Sequence, residues 1–172
     1  MISKTNPELK SWIEVDSKSD FPIQNIPFGI ARHKDGAITA VTRIGDFIID
    51  LAALERLGYF LPTHLHLATK FRQNTLNDFI AMGQNAWRAV RNRIIEIFQE
   101  NNPELRDKQG LRRLIVIPSE DSEMLMPVKV TDYTDFYSSI EHATNIGKML
   151  RDPENALLPN WRHLPVGYHG RA

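Results

Sequence analysis

The chain has 172 residues, of which 42% are hydrophobic and 24% are charged, a composition that excludes disorder over most of its length. Its 21 basic and 21 acidic residues give a formal net charge of zero, so it lacks the basic excess typical of nucleic-acid-binding proteins. It contains no cysteine, which excludes disulfides and thiolate metal sites.

The first twenty residues are mostly polar, and we predict a flexible N-terminus over residues 1–18 in which Trp12 and Ile13 dock locally. The first ten residues lack the apolar core of a signal peptide. No window approaches the roughly 18 apolar residues that a membrane-spanning helix needs. We therefore expect a cytoplasmic protein without a membrane or nucleic-acid partner.

Residues 26–50 show the pattern of three short β-strands. Ile26–Ala31 leads into the pair Asp35-Gly36, which favours a tight hairpin turn. Ala37–Thr42 alternates apolar and small polar residues, as a half-buried strand does, and Phe47–Asp50 has the length of a third strand. Because three short strands with tight turns cannot bury both faces as a flat sheet, we expect a small, strongly bent β-barrel or roll.

Helical patterns follow these strands. Asp50 is placed to cap a short helix over Leu51–Leu57, and a second short helix is predicted over Leu76–Met82. The strongest pattern covers Gln84–Glu100, where apolar residues recur every three or four positions and include Trp87 on the core face. The basic residues of this region are interpreted as a solvated helix face and a charged loop: Arg88, Arg91, Arg93, Arg112 and Arg113.

Two further strands are predicted, over Leu114–Ile117 and Met124–Val130. A charged loop or short helix at Glu104–Gly110 separates them from the long helix. The fold is therefore expected to be mainly β with α insertions, in the α+β class.

The C-terminal part of the chain is loop-rich and dense in polar and aromatic side chains, as functional sites often are. Asp132 and Asp135 lie three residues apart, and along an extended backbone Asp135 and Tyr137 face the same side. An aspartate here suits a hard cation such as Ca²⁺ or Mg²⁺, and His142 is a candidate base near neutral pH. The structural alternative is that one aspartate caps the helix that begins near Ser138 while the other is solvated.

A helix is predicted over residues 138–150, followed directly by Arg151 and later by an irregular loop that leads into a strand. A guanidinium binds a carboxylate through two parallel hydrogen bonds, so Arg151 is a candidate for holding an anionic substrate. A surface ion pair of Arg151 with Asp152 or Glu154 is an equally good interpretation, and it would contribute little to stability.

Several separated blocks of this sequence, in the same order, resemble the fumarylacetoacetase family. The densest blocks lie in the C-terminal part: Asp132–Ser139, His142–Asn145, Glu154–Leu157, Pro159–Trp161 and His163–Arg171. Others precede them: Asp20–Gly29, Thr75–Asn77 and Gly83–Trp87. The resemblance covers about residues 16–172, and ordered blocks of this kind are far more specific than any single motif.

The resemblance implies a two-domain organisation. A small SH3-like β-barrel domain would occupy residues 19–130, and a larger β-rich catalytic domain would follow, of which residues 131–172 form only the opening segment. Members of the family work as homodimers, so the resemblance also implies a second copy as a partner.

The resemblance further implies roles for particular residues. Asp135 corresponds to a carboxylate ligand of a divalent metal, Ca²⁺ or Mg²⁺, and His142 to the base that activates the attacking water. Tyr137, Arg151 and Tyr168 correspond to substrate-contacting positions. The implied reaction hydrolyses a C–C bond of fumarylacetoacetate, a diketo acid, to fumarate and acetoacetate at the end of tyrosine and phenylalanine catabolism.

The other metal carboxylates of the family, and the groups that orient its water, lie at positions later than Ala172. A lone carboxylate cannot hold Ca²⁺ or Mg²⁺ tightly, because each takes about six or more oxygen ligands. We therefore expect a fragment of the hydrolase that is inactive alone. Two alternatives remain, a non-catalytic SH3-like binding or assembly module and a relative that acts on another β-diketo acid.

Overall fold

The computed structural model describes residues 6–164 and 166–170, which divide into two compact units, Met1–Lys129 (unit 1) and Val130–Ala172 (unit 2). Pro165 and Arg171, which belong to the last of the family-like blocks, lie outside the described residues. Helices and strands are mixed along the described residues, which is consistent with the α+β class. The expectation of a mainly β fold is wrong, because the α-helices contain more of these residues than the strands do.

Unit 1 contains a five-stranded antiparallel sheet in the order β4-β3-β2-β1-β5. Its strands are β1 (Gly29–His33), β2 (Ile38–Ile44), β3 (Phe47–Asp50), β4 (Val116–Pro118) and β5 (Ser122–Leu125). The sheet curls into a half-barrel, and its two edge strands, β4 and β5, are joined by a single 3₁₀ turn, Ser119–Asp121.

The predicted hairpin between β1 and β2 is confirmed. Gly36 has a φ of +87°, a left-handed conformation that glycine adopts without strain, and the Asp35 carboxylate accepts a hydrogen bond from the Ala37 amide at 2.9 Å. This turn sets the register in which Ile30 faces Ala40. Register matters because a slip of one residue would move every side chain to the opposite face.

The two faces of the sheet are buried in different hydrophobic clusters. Ile30, Ala40 and Ile49 belong to the main core, while their neighbours Ala31 and Val41 belong, with Ile48, to a small cluster on the other face. Successive residues of a strand point to opposite faces of the sheet, so a continuous apolar stretch in one strand contributes side chains to both clusters. The curl gives the short strands two buried faces, as the sequence pattern predicted.

Helices cover the main-core face of this sheet. From residue 6 onward unit 1 has these α-helices: α1 (Leu51–Arg56), α2 (Asn77–Ala81), α3 (Gln84–Phe98), α4 (Pro103–Arg106) and α5 (Gln109–Ile115). The predicted cap is confirmed, since the Asp50 carboxylate accepts a hydrogen bond from the Ala53 amide at 3.0 Å. Among the described residues, no helix has the length and apolar character needed to cross a membrane.

Helix α3 is the longest element and the central packing element of unit 1. Val90, Ile94 and Ile97 are fully buried on the face that the sequence periodicity predicts. Trp87 is half-buried against the same core, and its Nε1 donates hydrogen bonds to the carbonyls of Phe79 and Ile80. The helix therefore joins α2 to the core through one tryptophan.

The interpretation of the α3 arginines as a solvated face is wrong for two of the three. Arg93 is only 6% exposed and donates a hydrogen bond to the carbonyl of Tyr59 at 2.7 Å. Arg91 is half-buried and donates to the carbonyls of Gln24 and Ile26. Backbone carbonyls that the loops leave unpaired explain the difference, because arginine offers several donors on a long stem.

The two late strands of unit 1 are shorter than predicted. Leu114 lies in helix α5 and is 55% exposed, so the strand begins only at Val116. The second of these strands, β5, ends at Leu125. Pro127 has no amide to donate to the sheet, and its carbonyl accepts a hydrogen bond from the Leu76 amide at 2.8 Å. The following residues therefore bond to α2 rather than extend the sheet.

The N-terminal segment docks at two predicted residues. The ring of Trp12 stacks on Phe98 with 5.1 Å between centroids, and Ile13 is buried in the main core. Ser11 forms a β-bridge with Gln99, just after helix α3. The predicted flexible N-terminus includes residues 1–5, which lie outside the described residues.

The described residues of unit 2 form a two-stranded sheet and one α-helix. Strands β6 (Thr134–Phe136) and β7 (Gly167–His169) pair antiparallel, and helix α6 (Ile140–Leu150) lies between them in sequence. Two 3₁₀ turns, Pro153–Asn155 and Pro159–Arg162, follow the helix. The helix and the late strand were both predicted from the sequence.

Candidate functional site

Tyr137 follows strand β6 directly and is fixed at several points within unit 2. Its amide donates a hydrogen bond to the carbonyl of Val166 at 2.8 Å, and its hydroxyl donates to the carbonyl of Ala143 at 3.3 Å. Its own carbonyl accepts a hydrogen bond from Nε1 of Trp161 at 2.8 Å. The tyrosine ring therefore has a defined place between the strand and helix α6.

His142 lies in the first turn of helix α6, beside Tyr137. The Ser139 hydroxyl caps the helix by accepting a hydrogen bond from the His142 amide at 3.2 Å. The imidazole meets the Tyr137 ring edge-on, with 5.5 Å between centroids and an interplanar angle of 79°. His142 is exposed, and within the described residues no carboxylate is paired with its ring.

Ser139 is the cap of α6, so the structural alternative in which an aspartate caps this helix is wrong. A serine at this position satisfies an amide that would otherwise lack a partner in the first turn. The cap also sets where the helix begins, and thereby which direction His142 faces. Neither Asp132 nor Asp135 is needed for the helix to start.

Arg151 lies immediately after helix α6. Its amide donates a hydrogen bond to the carbonyl of Gly147 at 2.8 Å, and its guanidinium Nη1 donates to the carbonyl of Ala156 at 3.3 Å. The Asp152 carboxylate accepts from the Glu154 amide and caps the next turn. The predicted alternative, an ion pair of Arg151 with Asp152 or Glu154, is not formed within the described part of the chain.

A cavity of roughly 210 Å³ brings together the three residues that the resemblance assigned to substrate contact: Tyr137, Arg151 and Tyr168. The rings of Tyr137 and Tyr168 lie edge-to-face with 6.4 Å between centroids. The rest of the lining is largely apolar: Ala143, Ala156, Leu157, Leu158, Asn160, Trp161 and Val166. One cation and two phenols in an apolar wall suit a small anionic molecule.

Asp135 lies at the centre of β6, where it faces Tyr168 across the two-stranded sheet, and it is not part of the cavity wall. Across residues 6–164 and 166–170, no group of three His, Asp or Glu side chains is arranged to hold a metal ion. A hard divalent cation needs about six or more oxygen ligands, so the described residues do not fit a complete metal site.

Two residues that contribute to the site were not assigned a role from the sequence. Trp161 lines the cavity and bonds to Tyr137, and Ala156 accepts the hydrogen bond from Arg151. The signal for Trp161 was its position in a polar, aromatic loop, where a tryptophan needs a partner for its N–H. Ala156 acts through its backbone carbonyl, which has no sequence signal.

The family model for the N-terminal region of fumarylacetoacetase matches residues 24–127, most of unit 1. The fumarylacetoacetase of Oryza sativa is 43% identical over 100% of this chain and 41% of its own length. Those of Caenorhabditis elegans and Homo sapiens are 46% and 45% identical over 95% and 94% of the chain, and 39% of their own lengths. The chain belongs to the fumarylacetoacetase family and spans about two-fifths of these relatives.

Proposed function

We propose that the protein to which this chain belongs hydrolyses a carbon–carbon bond of fumarylacetoacetate, producing fumarate and acetoacetate in the last step of tyrosine and phenylalanine breakdown. The observation that carries the proposal is the cavity lined by Tyr137, Arg151 and Tyr168, beside which His142 lies against the Tyr137 ring. A base next to a small anion-binding cavity is what hydrolysis of a diketo acid requires.

In the proposed reaction His142 takes a proton from water, and the resulting hydroxide adds to the carbonyl carbon next to the bond that breaks. The C–C bond then breaks, its electron pair leaves as the enolate of acetoacetate, and the proton that His142 took from water passes to that enolate. The water oxygen remains in the new carboxylate of fumarate. Arg151 and the hydroxyl of Tyr168 would hold the substrate, which is a dianion, and the Tyr137 hydroxyl would turn from the Ala143 carbonyl to donate to it.

We propose Asp135 as one carboxylate of a divalent-cation site, for Ca²⁺ or Mg²⁺, in the whole protein. The support is the chemistry of the ligand, since both ions prefer carboxylate oxygens, together with family membership. The remaining ligands would come from sequence that the relatives carry beyond the region matched here. No step of the proposed reaction is assigned to the metal, because the described residues do not form a complete site.

Three further features belong to the same proposal: unit 1 as an SH3-like barrel, a homodimeric whole protein and a cytoplasmic location. The curled sheet supports the first, and the absence of cysteine fits the last. For the dimer, the support is the exposure of large apolar side chains in unit 2, since Phe136 and Leu164 are each 61% exposed and Leu150 is 74% exposed.

Sedimentation of this chain at increasing concentration tests the proposed dimer. The chain should self-associate, and Leu150→Glu should weaken the association. A chain that stays monomeric at every concentration would contradict the support from the exposed apolar side chains.

The chain alone is expected to have no hydrolase activity, because it contributes a single candidate metal carboxylate and a base without a paired acid. Joining it to the C-terminal part of the Caenorhabditis elegans relative gives a protein of full family length, which we call the extended chimera. Loss of the diketo-acid absorbance, followed with Ca²⁺ or Mg²⁺ present, measures turnover by both proteins.

The expected result is no turnover by the chain, turnover by the extended chimera, and a loss of at least about a hundredfold in kcat for the chimera carrying His142→Ala. Turnover by the purified chain would contradict the expectation that a single metal carboxylate and an unpaired base are insufficient for catalysis. Full activity of the His142→Ala chimera would instead contradict the assignment of the base.

A further inference from the structure

We propose that Trp161 is a positioning residue for this reaction, which places the Tyr137 hydroxyl at the substrate cavity through the hydrogen bond from its indole to the Tyr137 carbonyl. This inference rests on the proposed function, because it concerns the same cavity. The bond is 2.8 Å long and joins residues 24 positions apart in the chain.

The backbone at Tyr137 is held from both sides. On one side its amide bonds to Val166, and on the other its carbonyl receives the indole N–H of Trp161. The strand β6 ends at Phe136, and the bond from the Tyr137 amide continues its register by one pair. Among the described residues, the Tyr137 carbonyl receives the indole N–H where a regular pair would supply the Val166 amide. The indole therefore replaces a sheet hydrogen bond at the residue where the chain leaves the strand.

Trp161 is itself held in place by local structure. It lies in the 3₁₀ turn Pro159–Arg162, and its amide donates a hydrogen bond to the carbonyl of Leu158 at 3.0 Å. A proline at the start of the turn restricts the backbone further. The backbone of Trp161 is thus held in an ordered turn, and its indole links that turn to the end of β6.

Trp161 also forms part of the partition between two cavities. The cavity that contains Arg151 and Tyr168 has a volume of roughly 210 Å³, and a second cavity of roughly 280 Å³ includes Phe136 and His163. Tyr137, Trp161 and Val166 line both. A shift of the indole would therefore change the shape of the substrate cavity and the position of the Tyr137 ring together.

The contribution of the hydrogen bond can be separated from that of the ring. Phenylalanine keeps an apolar ring at position 161 but has no N–H, so Trp161→Phe leaves the Tyr137 carbonyl without this donor. The loss of one such hydrogen bond should make the position of the Tyr137 hydroxyl less well defined in the transition state. We therefore expect kcat/KM to fall about tenfold.

A double-mutant cycle in the extended chimera tests the proposal, using Trp161→Phe, Tyr137→Phe and the double variant. We expect Trp161→Phe to reduce kcat/KM about tenfold in the wild-type background, but less than about threefold once the Tyr137 hydroxyl is absent. Equal losses in the two backgrounds would overturn the proposal, because an indole that only stabilises the fold does not act through that hydroxyl.

Trp87→Phe is the matched control, because the Trp87 indole also donates hydrogen bonds to backbone carbonyls but lies in unit 1. It should reduce the free energy of unfolding while leaving kcat/KM within twofold of the wild-type chimera. A tenfold loss of kcat/KM in this control would show that any lost indole bond lowers activity, and would overturn the specific role of Trp161.

A second measurement uses this chain without any activity. In the ¹H–¹⁵N spectrum of the unmodified chain, the indole N–H of Trp161 should exchange with solvent as slowly as that of Trp87, since both are hydrogen-bonded. Fast exchange at Trp161 would overturn the proposal even if Trp161→Phe does not fold. An inactive wild-type chimera with a slowly exchanging Trp161 indole would contradict the proposed function while supporting the link to Tyr137.

Discussion

Gly147 lies so close to Ala156 that a Cβ atom added to the glycine would be 1.9 Å from the Ala156 carbonyl oxygen. The same carbonyl accepts the hydrogen bond from the guanidinium of Arg151. Helix α6 and the segment after it are therefore in backbone contact at the point where the candidate substrate-binding arginine is held.

Gly147→Ala should displace the Ala156 segment and, with it, the partner of Arg151. Backbone cannot yield to a contact of this kind without moving by more than an ångström, so we expect a rise of at least fivefold in KM of the extended chimera. Steady-state kinetics measures the change.

Gly110→Ala is the control, because Gly110 lies in helix α5 and a Cβ atom added there would contact no other atom. Alanine at position 110 should leave KM unchanged and leave the free energy of unfolding unchanged or higher.

Arg93→Met should destabilise unit 1 by about 2–4 kcal/mol. The arginine is 6% exposed, donates to the Tyr59 carbonyl and pairs with Glu96 and Glu104, so its removal leaves a buried carbonyl and two carboxylates without this donor. Burial opposes the charged form of Arg93, but the hydrogen bonds that its guanidinium donates to the Glu104 and Glu96 carboxylates outweigh burial and raise the pKa of Arg93.

Urea unfolding measures the effect of Arg93→Met, with Arg88→Met as the matched control on the same helix. Arg88 is exposed, so its replacement should change the free energy of unfolding by less than about 0.5 kcal/mol. Equal effects of the two substitutions would show that the buried contacts of Arg93 contribute nothing beyond helix propensity.

Glu55→Gln should stabilise unit 1 at neutral pH and remove part of its pH dependence. Burial raises the pKa of the Glu55 carboxyl above its usual value of 4.5, and the opposing effects of Arg72 and of the Thr69 and Lys70 amides only reduce that shift. Neither carboxylate oxygen makes a hydrogen bond of ordinary geometry with a described residue.

The sign of the pH effect follows from this raised pKa. The folded state keeps its proton on Glu55 to a higher pH than the unfolded state does, so stability falls as pH rises from about 4.5 through the folded pKa. Thermal unfolding between pH 4 and pH 7 should show this fall in the wild-type chain and a smaller one in Glu55→Gln. A steeper fall in the variant would contradict the burial argument.

Limited trypsin digestion should leave a stable product that ends between about residues 127 and 131. The two compact units divide between Lys129 and Val130, and both residues are exposed. Mass spectrometry of the products locates the cut. Preferential cleavage at Lys34, in the exposed β1–β2 turn, would contradict the prediction that the hairpin is the more stable region.

Local sequence chemistry predicted much of unit 1. Asp35 and Gly36 encode the hairpin turn, Asp50 encodes the start of α1, and the spacing of Val90, Ile94 and Ile97 encodes the buried face of α3. Each of these features depends on residues within a turn or two of one another, so the pattern is visible without the fold. Likewise, the family-like blocks are features of the sequence alone and indicate the family without the tertiary structure.

Contacts between distant residues decided the rest. Arg93 and Arg88 look alike in the sequence, yet only Arg93 meets the unpaired carbonyl of Tyr59, 34 positions away. The link from Trp161 to Tyr137 and the contact between Gly147 and Ala156 likewise use backbone atoms. Backbone carbonyls are the same at every residue, so which of them a side chain reaches is determined only when the tertiary structure brings the segments together.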